Sequence, residues 1–89
     1  MNKRRVVITG LGAVTPYGVG VDKFWENLKA GKSGISTSES IDIEKHVVKI
    51  SGEVKNFNPE DYMEAKAAKK MDRFIQFAMV AADEAIKDA

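Results

Sequence analysis

The chain has 89 residues, of which 44% are hydrophobic and 30% are charged, and its formal net charge is +1. This composition is typical of a globular sequence, excludes a disordered or fibrous one, and gives no electrostatic reason to expect nucleic acid or a membrane surface as a partner. The absence of cysteine excludes disulfides, thiolate metal sites and a cysteine nucleophile within these residues, and it fits a cytoplasmic protein. No apolar run approaches the ~20 residues of a membrane helix, and the single histidine, His46, is expected to be a loop residue rather than a metal ligand.

The first predicted element is a short strand at Val6–Ile8. This β-branched run ends at Gly10 and is typical of a strand buried on both faces. The loop that follows holds four glycines and one proline up to Gly20, and a glycine-rich loop after a strand is also how a dinucleotide-binding site begins. However, the position that needs a third small residue holds Thr15, and Pro16 follows it. Because proline removes a backbone donor and disfavours helix at the preceding residue, the loop only partly fits a phosphate site.

A helix is predicted after the glycine-rich loop. Asp22 is placed to act as its cap or as an acid in its first turn, and Gly31 supplies the usual stop. Phe24, Trp25 and Leu28 share one face at helical spacing, so we expect them to be core residues.

The middle of the chain is less regular. Residues 32–46 are polar and poorly patterned, which predicts a surface loop. The apolar residues at positions 47, 48, 50 and 54 then predict a strand interrupted at Gly52.

A long helical region starts at Asn58, which can cap it, with Pro59 in the first position and two acids following. Helix formers continue to Asp88, but a helix of about 30 residues is long for a small domain. We therefore predict a break near Met71, with Asp72 capping a second helix. That helix is nearly apolar, which implies burial among further layers. The alternation of strand, helix, strand and helix predicts an α/β architecture.

Four basic residues, Lys66, Lys69, Lys70 and Arg73, fall at i, i+3, i+4 and i+7 and would form one stripe on a continuous helix. If the helix breaks at Met71, the three lysines still cluster. Their spacing by itself favours a solvated face, and a surface that binds an acidic partner is the alternative.

Four segments carry a family resemblance: VVITGLGAVTPYG at 6–18, Phe24-Trp25 with LKAGKSGI at 28–35, GEVKNF at 52–57, and KKMDRFIQFA at 69–78. In this order they resemble the amino-terminal opening of the β-ketoacyl-[acyl carrier protein] synthases, in particular the elongating type II condensing enzymes of the thiolase superfamily. The resemblance runs from Arg4 to Ala89 and is weakest between residues 36 and 49.

The resemblance implies a thiolase-like fold, layered α-β-α-β-α and built from two related halves. Residues 1–89 would then be an incomplete amino-terminal part of that domain, contributing the first strand, helices and loop of one half. It also implies an acyltransferase of fatty acid biosynthesis, a cytoplasmic homodimer that needs no cofactor. The family reaction is a decarboxylative Claisen condensation of an acyl-enzyme with malonyl-acyl carrier protein, carried out by one cysteine and two histidines. None of these three residues matches a position here, so they are expected beyond Ala89 and the 89 residues alone are expected to be inactive.

The resemblance further implies acyl carrier protein, whose surface is acidic, as the partner. Family members use basic residues just before the Met-Asp motif for docking, and Lys66, Lys69 and Lys70 occupy matching positions. Two alternatives stay open. One is a non-catalytic module that binds an acidic partner through the lysines. The other is the start of a nicotinamide-dependent reductase, which needs an acidic residue about 20 residues after the glycines, where the sequence instead has KAGKSG at 29–34.

Overall fold

The structure is a computed structural model, and it describes residues 3–40 and 42–89. The strands are β1 (Val14–Thr15), β2 (Gly18–Val19), β3 (Ile35–Thr37) and β4 (Ile50–Gly52). The helices are α1 (Val21–Lys29), α2 (Ala65–Lys69) and α3 (Arg73–Asp88), with short 3-10 turns at Ile43–Lys45 and Pro59–Asp61. This mixture of helices and strands is compatible with the predicted α/β class.

The glycine-rich loop folds as a hairpin. Strands β1 and β2 pair antiparallel, with Val14 opposite Val19 and Thr15 opposite Gly18. Between them the Thr15 hydroxyl accepts a hydrogen bond from the backbone N–H of Tyr17 at 3.2 Å. Gly18 has φ 124°, a conformation that side chains with a Cβ rarely adopt, so this glycine is required for the turn.

The predicted strand at Val6–Ile8 is wrong. These residues form no regular secondary structure and are exposed to 91%, 67% and 82%. A strand needs a hydrogen-bonded partner strand, and the two sheets that the described residues form contain only the pairs β1–β2 and β3–β4, neither of which includes Val6–Ile8.

The residues just after Val6–Ile8 lie against helix α3. A Cβ added to Gly12 would overlap the carbonyl oxygen of Ala81, and one added to Gly10 would overlap that of Ala85. The two glycines therefore let the backbone of the loop rest directly on the alanine-rich face of α3.

Helix α1 has the predicted bounds. Gly20 takes the N-cap position, Asp22 lies in the first turn, and Gly31, with φ 72°, follows the end of the helix. The predicted core face is only partly covered, because Trp25 is 53% exposed and Leu28 is 48% exposed. The small β1–β2 hairpin is the main packing partner of α1 among the described residues, and it cannot cover the whole face.

The predicted surface loop contains a strand. Strand β3 pairs antiparallel with β4, with Ser36 opposite Ser51, and the two hydroxyls on Ser38 and Ser51 are hydrogen bonded at 2.7 Å. Ile41, within the predicted loop, lies outside the described residues. Strand β4 starts at Ile50 rather than at Val47, which is 99% exposed.

The helical region is more broken than predicted. Asn58 does cap, since its side chain accepts the N–H of Glu60 at 3.1 Å, but the helix it starts is a single 3-10 turn. The break before α3 is confirmed, and Asp72 occupies the N-cap position of α3 without a side-chain cap hydrogen bond. Most of the apolar surface of α3 is not buried: Val80 is 6% exposed, whereas Phe74 is 68% exposed. Within the described part of the chain, no helix combines the length and apolar character needed to cross a bilayer.

Candidate docking surface

The three lysines predicted to form a binding surface lie together around helix α2. Lys66 and Lys69 are one turn apart on this helix, and Lys70 is its C-cap residue. All three are exposed. Over residues 3–40 and 42–89, the ion pairs are Lys55 with Glu39 and Lys87 with Asp83, so none involves these lysines. We call Lys66, Lys69 and Lys70 the lysine cluster.

Helix α2 turns the lysine cluster outward because its opposite face is packed. Ala68 is 4% exposed, and its carbonyl oxygen accepts a hydrogen bond from the side chain of Gln76 on α3 at 3.0 Å. The lysines are on the remaining surface of the helix, where their ammonium groups can reach solvent or a partner.

Arg73 does not extend the lysine cluster, in contrast to the predicted stripe. Its guanidinium lies 5.5 Å from the ring centre of Phe57 and 5.1 Å from that of Phe77, and it donates to the carbonyl oxygen of Val54 at 2.9 Å. The predicted stripe required one continuous helix. Because α2 ends at Lys69 and α3 begins at Arg73, Arg73 does not continue the helical spacing of the lysines. Arg73 instead joins the segment after β4 to the start of α3, through its hydrogen bond to Val54 and a cation–π contact that could not be predicted from the sequence.

The lysine cluster has the chemistry of an electrostatic docking site. Three positive charges within five residues, none held in an ion pair among the described residues, attract an acidic surface and accelerate its encounter. Two of them, Lys66 and Lys69, are also in the last turn of α2, where a cation interacts favourably with the helix dipole. That local effect is small for so short a helix and leaves the outward charges available.

The glycine-rich loop cannot act as a phosphate cradle in this conformation. The carboxylate of Glu84 accepts the backbone N–H groups of Ala13 at 2.9 Å and Val21 at 3.0 Å. The carboxylate of Asp88, one turn further along α3, accepts the N–H of Leu11 at 3.0 Å. Backbone donors that would bind a phosphate are thus occupied by negatively charged groups, which argues against the reductase alternative. The sequence signal for this arrangement was the pair of acids four residues apart at the end of a nearly apolar helix.

A second polar centre was not predicted from the sequence. The Glu53 carboxylate accepts the backbone N–H of Glu39 at 3.0 Å and both the N–H and the hydroxyl of Ser40, at 3.2 and 2.5 Å. These hydrogen bonds, that of the Ser40 hydroxyl first, lower the pKa of Glu53 from 4.5 to about 2. Glu53 borders an open groove of about 850 Å³ that Phe57, Arg73 and Phe77 also line.

His46 follows the 3-10 turn at Ile43–Lys45 and is exposed, which confirms its assignment to a loop. In the part of the chain that the structure describes, no three His, Cys, Asp or Glu side chains come together in a way that could hold a metal ion.

Comparison with known proteins gives the family. Residues 3–89 match the sequence profile of the β-ketoacyl synthase N-terminal domain. The chain belongs to this family. It is 52% identical over 86 residues to 3-oxoacyl-[acyl-carrier-protein] synthase 2 of Staphylococcus aureus (strain COL), covering 97% of this chain and 21% of that protein. It is 42% identical over 89 residues to the enzyme of the same name from Synechocystis sp., covering 100% of this chain and 21% of that protein.

The family match confirms the resemblance seen in the four segments, and it includes both the glycine-rich loop and the lysine cluster. The chain spans about a fifth of the length of the curated relatives it matches. In this β-ketoacyl synthase domain Gly10 and Gly12 of the loop allow close contact with α3, as their positions against Ala85 and Ala81 show. The role of the lysine cluster stays a prediction.

Proposed function

We propose that this chain is the amino-terminal segment of a 3-oxoacyl-[acyl carrier protein] synthase of the elongating type II kind. The observation that carries this proposal is the 52% identity, over 97% of the chain, to a protein named for that activity. On this proposal the 89 residues form an incomplete part of a thiolase-like domain with α-β-α-β-α layers. Helix α3, whose apolar side chains are largely exposed, would be covered by the other layers of that domain.

The complete enzyme would elongate fatty acids in the cytoplasm as a homodimer. An acyl group passes from acyl carrier protein to a cysteine thiolate, and malonyl-acyl carrier protein then loses carbon dioxide. The carbanion that remains attacks the acyl thioester, forms the new carbon–carbon bond and releases the cysteine thiolate. The 89 residues contain no cysteine and one histidine, so they would serve binding and not the chemical step.

The part of this function that the segment would supply is docking of acyl carrier protein by the lysine cluster. Exposure of Lys66, Lys69 and Lys70, and their lack of ion pairs within the described residues, support this role. Both substrates of the reaction arrive on the same acidic carrier protein, so one basic surface can serve both half-reactions. Charges at the rim of such an interface act mainly on the encounter rate and the register of the complex.

The test is charge reversal, Lys69→Glu with Lys70→Glu, in the complete synthase. An exposed ion pair contributes roughly 0.2–1 kcal/mol, and reversal replaces attraction by repulsion, so affinity for acyl carrier protein should fall by about one to two decades. The loss should shrink as salt rises, because the Debye length falls from ~10 Å at 0.1 M to ~3 Å at 1 M. Turnover of small thioester substrates that lack the carrier protein should stay the same.

A matched control is Lys45→Glu with Lys49→Glu, which makes the same change in net charge at two exposed lysines outside the cluster. This control should retain most of the affinity. If the Lys69 and Lys70 variant is folded and binds the carrier protein at low salt as tightly as the parent enzyme, the docking role is wrong, while the family assignment is unaffected.

A further inference from the structure

We propose that Gln76 is a positioning residue for the lysine cluster: its side-chain amide holds the C-terminal end of α2 in place, so that the lysines meet an acidic carrier protein as one ordered surface. This inference rests on the docking role proposed above. It concerns a residue that is neutral and lies on a different helix from the lysines.

The side-chain amide nitrogen of Gln76 faces two backbone carbonyls. Its Nε2 donates to the carbonyl oxygens of Ala68 at 3.0 Å and of Met71 at 3.5 Å. A glutamine amide has two N–H donors, and two carbonyl oxygens are present to accept them. Since carbonyl oxygens only accept, the atom that faces them must be the nitrogen. Ala68 and Met71 bracket Lys69 and Lys70 in the sequence, so the amide fastens the backbone on both sides of these lysines.

Helix α2 needs the hydrogen bonds from Gln76 because so short a helix has little stability of its own. It has five residues, far fewer than the ~12–15 that make an isolated helix even marginal in water. Its N-cap residue, Glu64, forms no side-chain cap hydrogen bond, and Ala68 is its one buried residue. The last carbonyls of a helix lack their usual partners within it, and the Gln76 amide adds a donor to the Ala68 carbonyl oxygen, which also accepts the backbone N–H of Met71 at 3.1 Å.

Gln76 is itself firmly placed. Its backbone N–H donates to the carbonyl oxygen of Asp72 at 3.1 Å, within the first turn of the sixteen-residue helix α3. The side chain is half-buried. The long helix therefore sets the direction of the short one through this amide.

Loss of the amide should loosen the lysine cluster without touching its charges. The carbonyls of Ala68 and Met71 would lose this donor, and the end of α2 would sample more conformations. Docking would then have to order the lysines, and this conformational entropy lowers the affinity.

The test variant is Gln76→Met in the complete synthase, which keeps an unbranched side chain of similar length and removes both donors. The KM for substrates carried by acyl carrier protein should rise about three- to tenfold, the factor that the net contribution of a hydrogen bond gives. Turnover of small thioesters should be unchanged, and hydrogen exchange at the backbone amides of Lys69 and Lys70 should accelerate.

Asn27 provides a matched control. Its side-chain amide also donates to a backbone carbonyl, that of Lys23 on α1, at 2.7 Å. Asn27→Leu removes a similar hydrogen bond away from the lysine cluster and should leave the KM for carrier-bound substrate as it is.

A double-mutant cycle separates positioning from the other roles. In a Lys69→Gln and Lys70→Gln background, Gln76→Met should have almost no further effect on the KM, because the charges that it positions are gone. If Gln76→Met raises the KM by the same factor with and without the lysine substitutions, the inference is wrong, since Gln76 would then act independently of the lysines.

Two further outcomes are distinct. If the lysine variants raise the KM and Gln76→Met does not, the inference about Gln76 is wrong and docking stands. If the lysine variants also leave the KM unchanged, both proposals are wrong. Should Gln76→Met fail to fold, Gln76→Glu keeps the size of the side chain and presents only acceptors to the two carbonyls at neutral pH, so the same outcomes decide.

Discussion

The carboxylate of Glu53 joins the segment that follows strand β4 to the segment that follows strand β3. Glu53 follows strand β4, and its three hydrogen bonds reach Glu39 and Ser40, which follow strand β3. All of these donors stabilise the ionised form of the carboxylate, which is why its pKa falls to about 2. One half-buried side chain thereby holds the two segments that follow the strands together.

This depressed pKa predicts a dependence of stability on acid. Above the ordinary pKa of 4.5 the carboxylate is ionised whether the protein is folded or not, and its full contribution to stability is present. As the pH falls from about 4.5 toward 2, the unfolded chain takes up a proton that the folded one does not, so the contribution is lost. Glu53→Gln should therefore lower the melting temperature of the complete synthase at pH 7, with a difference from the parent that narrows as the pH falls below 4.5.

Glu26 offers the comparison. It is an exposed carboxylate on α1, and among the described residues its side chain forms no ion pair. Glu26→Gln should give a curve of melting temperature against pH parallel to that of the parent. A gap between the Glu53 variant and the parent that stays constant from pH 7 to pH 3 would contradict the assigned hydrogen bonds.

At the scale of elements, the contact between the glycine-rich loop and α3 leads to a second prediction. Gly12→Ala in the complete synthase should destabilise the protein by about 1–3 kcal/mol, the usual cost of overpacking, because its Cβ would overlap the carbonyl oxygen of Ala81. Thermal unfolding and soluble yield measure the effect.

Gly31→Ala is the matched substitution at a glycine with open surroundings. Apart from its chain neighbours, no described atom lies within 4 Å of a Cβ at Gly31, but its φ of 72° disfavours alanine by about 1 kcal/mol. The Gly12 variant should be the less stable of the two. A Gly12→Ala protein as stable as the parent would mean that the loop does not lie on α3.

Elements that depend on local chemistry could be predicted from the sequence. Gly31 ends α1, Asn58 caps a turn, and a break precedes α3, since each of these signals acts within a few residues. Elements that depend on distant partners could not. The pairing of β3 with β4 joins residues 35–37 to residues 50–52, and Val6–Ile8 has the composition of a strand but no strand beside it in the described residues.

In the candidate site, too, local features could be predicted from the sequence and contacts with distant residues could not. Helical spacing was enough to place Lys66 and Lys69 on one short helix, with Lys70 next to it. The prediction from helical spacing was wrong for Arg73, because the helix breaks before this residue and its guanidinium packs on two aromatic rings. The support from Gln76 could not be predicted, since its hydrogen bond to Ala68 crosses from one helix to another.

The whole molecule exposes more surface than a complete domain of its mass. Its accessible surface is 7398 Å², against about 5,200 Å² expected for a folded monomer of 9.8 kDa. Its radius of gyration is 16.5 Å, against about 12 Å for a compact chain of this length. Ala68 and Val80 are the buried hydrophobic residues of the described chain. So small a core gives little stability.

We therefore expect the isolated 89-residue polypeptide to aggregate or to remain poorly packed. It should bind a dye that reports exposed apolar surface and should melt over a broad temperature range, because Phe74 and Ile86, 68% and 75% exposed, have no layer against them among the described residues. Calorimetry and sedimentation at low concentration provide the measurement. A monomer with a sharp, cooperative transition would contradict this expectation.

The hydrogen bonds that Glu84 and Asp88 accept also determine when, during synthesis, the glycine-rich loop can attach to α3. Glu84 meets the N–H of Ala13 across 71 positions of sequence, and Asp88 meets that of Leu11 across 77. On the ribosome the carboxylate partners of the loop are made 71 and 77 residues after it, so its backbone donors stay bound to water during that time. The β1–β2 hairpin can form early from neighbouring residues, whereas its attachment to α3 has to wait until that helix has emerged.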